Sequence, residues 1–140
     1  AVAVQQARQE GLAAGLATAR SVDSLPGQTL AFEGIAEALA RDNRIDEALE
    51  ALSLVSDAAD RAKTTERIAL ILARGGDVTS ALDVAAKFAR KRDQEELVVA
   101  IALAQARGGD ASGAIETASR TDDPMWQAIA LAGIARVMAD

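Results

Sequence analysis

At 140 residues the chain has the length of one domain, enough to bury roughly 70% of its unfolded surface if it packs compactly. Half of the residues are hydrophobic, but 34 of them are Ala, and the aromatic set is two Phe, one Trp and no Tyr, so any core must come from helices that approach closely. The absence of His and Cys excludes a Ser-His-Asp triad, a thiol nucleophile, a disulfide framework and the common zinc and haem sites, and a net charge of −6 opposes nonspecific nucleic-acid binding.

Apolar spacing and capping residues predict nine helices, over 1–8, 11–20, 26–41, 44–55, 58–73, 77–89, 93–107, 110–119 and 124–139. Ser24-Leu25-Pro26 and Asp57-Ala58-Ala59-Asp60 start the third and fifth. For the seventh, Asp93 followed three residues later by Glu96 reads as a capping box. Arg107 complements that helix's carboxyl end, and Gly108-Gly109 supplies a left-handed stop. Asp110 caps the eighth helix; Asp123 and Pro124 open the ninth as cap and first helical residue. Nothing alternates with period two, so no strand is expected. The longest uncharged run, Pro124 to Ala135, is too short to span a membrane.

The helices fall into a repeat. Ala73-Arg74-Gly75-Gly76-Asp77 recurs 33 residues later as Ala106-Arg107-Gly108-Gly109-Asp110. In the same register one slot holds Val2, Ile35, Ile68, Ile101 and Ile134, and the next holds Ala3, Ala36, Ala69, Ala102 and Ala135. A third slot is Ala7, Ala40, Ala73, Ala106 and Ala139, and the one after it holds Arg8, Arg41, Arg74 and Arg107 before breaking at Asp140. Each unit is a pair of helices, and one pair cannot bury both of its faces. Stacked pairs can, through a continuous core.

These residues resemble the tetratricopeptide repeat, a helix–turn–helix of about 34 residues. Asp46-Glu47-Ala48-Leu49-Glu50 is similar to the start of that repeat's second helix. Its Leu-Gly pair is matched by Ile35-Ala36, Ile68-Ala69, Ile101-Ala102 and Ile134-Ala135. The aromatic slots are diluted: Phe32, Thr65, Val98 and Leu131 stand for the Trp, and Leu39, Leu72, Gln105 and Met138 for the Tyr. The resemblance implies an all-α fold, an α-α superhelix forming a right-handed solenoid of antiparallel helix pairs. One domain over 1–140 would hold units near 1–25, 26–57, 58–91 and 92–123 and a terminal helix at 124–140. It also implies a concave surface lined by first helices that binds an extended or helical peptide. The matching positions are Leu30, Glu33, Glu37 and Arg41; Lys63, Glu66, Leu70 and Arg74; and Glu96, Val99, Leu103 and Arg107.

Each candidate has two readings. The Arg8, Arg41, Arg74, Arg107 ladder is either a cationic stripe for a partner's carboxylates, or a set of residues complementing their own helix ends and bridging to an acid in the next unit. Glu33, Glu37 and Glu66 are either groove contacts or a solvated face. The pairs Glu95-Glu96, Asp122-Asp123 and Asp57 with Asp60 fit capping better than acid–base catalysis, which needs a shielded pocket. The Gly-Gly-Asp turns lack the Lys-Ser/Thr continuation of a phosphate loop. Met125-Trp126 is either an exposed hot spot or packing where the last helix begins.

The expected function is therefore a noncatalytic scaffold that binds a protein or peptide, with no cofactor, metal, nucleic acid or membrane span. The alternative is a regulatory or substrate-presenting segment of a larger multidomain enzyme. The chain starts without Met inside a first helix and ends on an apolar helix, which suggests a longer array or self-association through that helix. Twelve Arg against three Lys, with so much Ala, suggest a high-GC bacterial coding sequence. The absence of Cys is compatible with either side of the membrane, and the expected compartment is the cytoplasm ahead of a mature periplasmic location.

Overall fold

The computed structural model describes residues 2–140. Among them the chain is all-α, with nine helices and no strand: α1 Val2–Gln9, α2 Leu12–Arg20, α3 Leu25–Arg41, α4 Ile45–Ser53, α5 Ala58–Arg74, α6 Val78–Phe88, α7 Lys91–Arg107, α8 Ala111–Ala118 and α9 Pro124–Ala139. The chain divides into two compact units, one ending at Ile68 and the other running from Ala69 to Asp140.

The backbone repeats as the sequence does. At the end of α3 the amide of Arg44 donates to Leu39 O and that of Asn43 to Ala40 O. Asp77 to Leu72 O with Gly76 to Ala73 O, and Asp110 to Gln105 O with Gly109 to Ala106 O, repeat this paired bonding after α5 and α7. Each is a Schellman turn, which needs one left-handed residue. Asn43 (φ 59°), Gly76 (φ 92°) and Gly109 (φ 91°) supply it. Asn is the side chain that best tolerates that region, which explains why the first of the three turns manages without glycine.

Side chains close the opposite ends. Ser24 Oγ accepts from Gly27 N at 3.1 Å, Asp77 Oδ1 from Ser80 N at 3.1 Å, Asp110 Oδ1 from Gly113 N at 2.9 Å and Asp123 Oδ1 from Met125 N at 2.9 Å. Asp57 Oδ1 takes the amides of Ala59 and Asp60. The start of α7 departs from expectation. Arg90, not Asp93, is the cap residue, and the helix begins two residues early at Lys91. Asp93 instead reaches back to Arg90 Nε at 2.6 Å, so an ion pair holds the first turn and Glu96 takes no part in a capping box.

In the unit ending at Ile68, α1 packs on α2 and α3 on α4. The α1–α2 contact is very close: a Cβ added to Gly15 would stand 2.5 Å from Ala7 Cβ and 2.7 Å from the Ala3 carbonyl oxygen. Ala48, Ala81 and Ala114 occupy this slot elsewhere in the repeat. Exchanging Gly for Ala inside a helix normally gains up to about 1 kcal/mol, but overpacking against backbone costs about 1–3 kcal/mol. The second effect wins here, so Gly15→Ala is expected to lower the urea midpoint; a raised midpoint would contradict the close approach.

In the unit from Ala69 to Asp140, the core cluster is Val99, Ala102, Ala106, Ala114, Ala118, Ala130 and Ile134, with Leu103, Trp126 and Val137 packed against it. Gly133 permits α9 to seat on α7, because a Cβ there would fall 2.7 Å from Leu103 Cδ2. Trp126 is thus half-buried packing at the start of α9.

Two polar features recur with the repeat. Thr18 donates to Gln6 Oε1, and Thr117, 99 residues on, donates to Gln105 Oε1. Gln28, Arg61, Gln94 and Gln127, each 33 apart, turn back from the first helix to the connection before it. Gln28 Nε2 donates to Val22 O at 2.8 Å, Arg61 Nη1 to Val55 O at 2.9 Å, Gln94 Nε2 to Ala89 O at 3.4 Å and Gln127 Nε2 to Thr121 O at 2.6 Å. Among the described residues no buried side-chain N or O atom lacks a hydrogen bond. That condition lets an Ala-rich interior carry polar groups without loss.

Candidate binding surface

The positions singled out on first helices fall into different environments. In the unit ending at Ile68, α3 presents Leu30, Glu33, Glu37 and Arg41 at helical spacing. Leu30 is 69% exposed, whereas Glu33 and Glu37 are half-buried. From α5, Asp60 and Thr64 act on Glu33, and Arg67 acts on both carboxylates. Glu37 Oε1 accepts from Arg67 Nη1 at 3.2 Å, and Glu37 Oε2 lies 3.9 Å from Arg41 Nη2. Glu33 is held above the ordinary Glu range, first by burial and next by the Asp60 carboxylate, against the opposing Thr64 hydroxyl and Arg67 guanidinium. Glu33 and Glu37 are therefore not simply a solvated face: they form a charged cluster beside an exposed leucine.

The raised Glu33 has a testable sign. A carboxyl whose folded-state value lies above its unfolded one favours folding while protonated, so its contribution is fully present below the ordinary Glu value and is lost as pH rises through the folded one. Glu33→Gln removes that loss. The variant is expected to melt above the parent at pH 7, with the gap closing as the buffer is acidified below the ordinary Glu range. A gap that is constant with pH would exclude the carboxylate as its source.

The arginine slots differ from one another. Arg8 forks onto Asp42 at 2.7 and 2.9 Å. The hydrogen bond holds Asp42 below the usual carboxylate range and raises Arg8 further. Arg8 thus bridges to an acid in the next repeat. Arg41 faces Glu37 of its own helix. Arg74 and Arg107 are exposed at the ends of α5 and α7, Glu66 is exposed and Leu70 is half-buried. Arg44 stands where Asp77 and Asp110 stand in later repeats. It pairs with Glu47 at 2.7 Å and donates to the last carbonyls of α1, Arg8 O at 3.1 Å and Ala7 O at 3.3 Å.

In the unit from Ala69 to Asp140, Val99 is 6% exposed within the core cluster, and Leu103 packs there under Gly133. The expectation that Val99 contacts a partner is corrected: α9 lies over this face of α7, so Val99 serves the core. Sequence reasoning missed Arg67, which has no counterpart in the repeat register. It also missed the Gln28, Arg61, Gln94, Gln127 slot, which counting at 33 could have found, since all four are long side chains with N–H donors.

The acidic pairs mostly serve structure. Asp57 and Asp123 cap helices, and Glu95 accepts from the buried Thr121 hydroxyl. Among the described residues no group of three or more acidic side chains is placed to hold a metal ion. No helix among them is long and apolar enough to cross a membrane. Comparison of the chain with protein-family models, with curated proteins and with solved structures finds no match.

Proposed function

We propose that the chain is a noncatalytic protein-binding module of tetratricopeptide-like repeats, taking a peptide partner on the faces of its first helices. The observation that carries this reading is the cluster on α3 and α5: exposed Leu30 beside half-buried Glu33 and Glu37, flanked by Arg41 and Arg67. Three acids, Glu33, Glu37 and Asp60, meet two arginines, Arg67 and the more distant Arg41, and are under-neutralised. A Lys or Arg of a partner would relieve them, while an aliphatic side chain would cover Leu30. In the unit from Ala69 to Asp140, exposed Arg74 and Arg107 are cations at the repeat spacing for a partner's carboxylates.

The test is selection of peptides from a random dodecamer display library on the purified chain. Enriched peptides are expected to pair a basic residue with an aliphatic one. Glu33→Gln with Glu37→Gln should weaken them about tenfold or more, as loss of a desolvated charge pair does. Arg74→Ala with Arg107→Ala should weaken binding far more than stability. No enrichment, or binders indifferent to the Glu33 and Glu37 changes, would overturn the reading.

A further inference from the structure

Four connections lead from a second helix into the next first helix, at one register: residues 21–24, 54–57, 87–90 and 120–123. Three of them are pinned. Their last residues, Ser24, Asp57 and Asp123, cap the helix that follows. Gln28, Arg61 and Gln127 hold their backbone at 2.8, 2.9 and 2.6 Å, and Val55 and Thr121 within them are 0% and 2% exposed. The connection between α6 and α7 lacks these restraints. Arg90 stands in the capping slot and gives no side-chain cap. Gln94 reaches only Ala86 O at 3.2 Å and Ala89 O at 3.4 Å. Lys91 and Arg92 fill the first turn of α7, where cations oppose the positive end of the helix dipole. That turn therefore opens at lower cost than the starts of α3, α5 and α9.

The same segment has the chemistry of a cleavage site. Lys87, Arg90, Lys91 and Arg92 are all exposed. Ala89 (φ −71°, ψ 143°) and Arg90 (φ −61°, ψ 144°) are extended, the form in which a protease cleft holds the residues ahead of the bond it cuts. Other exposed cations are placed differently: Arg41, Arg74 and Arg107 end helices closed by Schellman turns, and Arg120 precedes the buried Thr121. An anionic partner is the rival reading of so many cations. Residues 83–96, however, hold four of them against four acids, Asp83, Asp93, Glu95 and Glu96, so the stretch has no net charge to steer one. We infer that the α6–α7 connection is a processing site for a trypsin-like protease, one whose primary pocket takes Arg or Lys, with Arg90–Lys91 as the first bond hydrolysed. Water adds across that bond, leaving a carboxylate on Arg90 and an amine on Lys91. The buried cluster of α7, α8 and α9, from Val99 to Ile134, stays in one piece, and α6 is severed from it.

Trypsin is the probe, added in trace amount to the folded 140-residue chain, with products read by intact mass. The first products expected are residues 1–90 and 91–140, formed about tenfold or more faster than by any cut outside 87–92. Arg90→Asp and Arg90→Gln then separate local opening from mere exposure. Both remove Arg90 and its ion pair with Asp93, and both keep Lys91 and Arg92 as cutting points. Only Asp restores the cap, in the arrangement that Asp57 and Asp60 make at the start of α5. Cleavage after Lys91 and Arg92 is divided by its rate in a peptide of residues 84–98 with the same change. The quotient is expected to be about fivefold lower for Arg90→Asp than for Arg90→Gln, because native-state cutting follows the population of the open form. A first cut outside 87–92, resistance of the chain until it unfolds, or equal quotients for the two variants would each overturn the inference.

Discussion

Truncating Ile101 to Ala is expected to cost about 2–5 kcal/mol of unfolding free energy, while Val2→Ala changes it by no more than about 0.5 kcal/mol. The two residues occupy the same repeat slot and have the same β-branched chemistry, so the register alone would rank them alike. Burial separates them: Ile101 is 0% exposed and Val2 is 68% exposed. The loss at Ile101 has two sources, the transfer free energy of the deleted carbons and the cavity they leave, which close packing prevents from collapsing. Ile101→Val should fall between, at about 0.5–1.5 kcal/mol. Urea denaturation followed by helical circular dichroism reads all three. An Ile101→Ala midpoint equal to the parent's would break the link between slot and core. A loss for Val2→Ala as large as for Ile101→Ala would mean that the exposed end of the array is packed in solution.

Much of the fold was legible in the sequence because the signals that delimit these helices are local. Ser24, Asp57, Asp110 and Asp123 cap where their positions suggest, and Gly109 takes the left-handed conformation expected of a glycine stop. The same logic failed at Asp93. Arg90, with extended backbone, offered an earlier cap position, and an acid three residues into a helix is as satisfied by an arginine behind it as by a free amide ahead.

The binding surface was legible only in part. Glu33, Glu37 and Arg41 do converge, but with Arg67 and Asp60 from α5, which no spacing rule within one helix could have brought there. Val99 shows the converse. Its slot was assigned to an open face by resemblance, and what covers that face is α9, whose Ala130 and Ile134 share one buried cluster with Val99. Whether a first-helix face is open or covered depends on the packing of the next helix, which no spacing rule within one helix reports.

The last expectation concerns the polar pair inside the second core. Gln105→Leu alone should destabilise by about 1–3 kcal/mol, because the Thr117 hydroxyl, 3% exposed, loses its acceptor. Thr117→Val alone should cost a similar amount by stranding the Gln105 carboxamide oxygen. Combining them should not sum the losses. At the same slots 33 residues earlier stand Leu72 and Val84, 2% and 1% exposed, so Leu with Val is a pairing this backbone already accommodates. Replacing both partners of a buried hydrogen bond by apolar groups of matching shape is nearly neutral or stabilising. The double variant should therefore return to the parent's stability or exceed it, giving a coupling energy of about 1–3 kcal/mol or more. Additive losses would mean that the two slots are not interchangeable between repeats. Recovery would show that each pair of facing slots is chosen as a unit, Gln with Thr or Leu with a small apolar residue, and that the repeat tolerates either while rejecting their mixture.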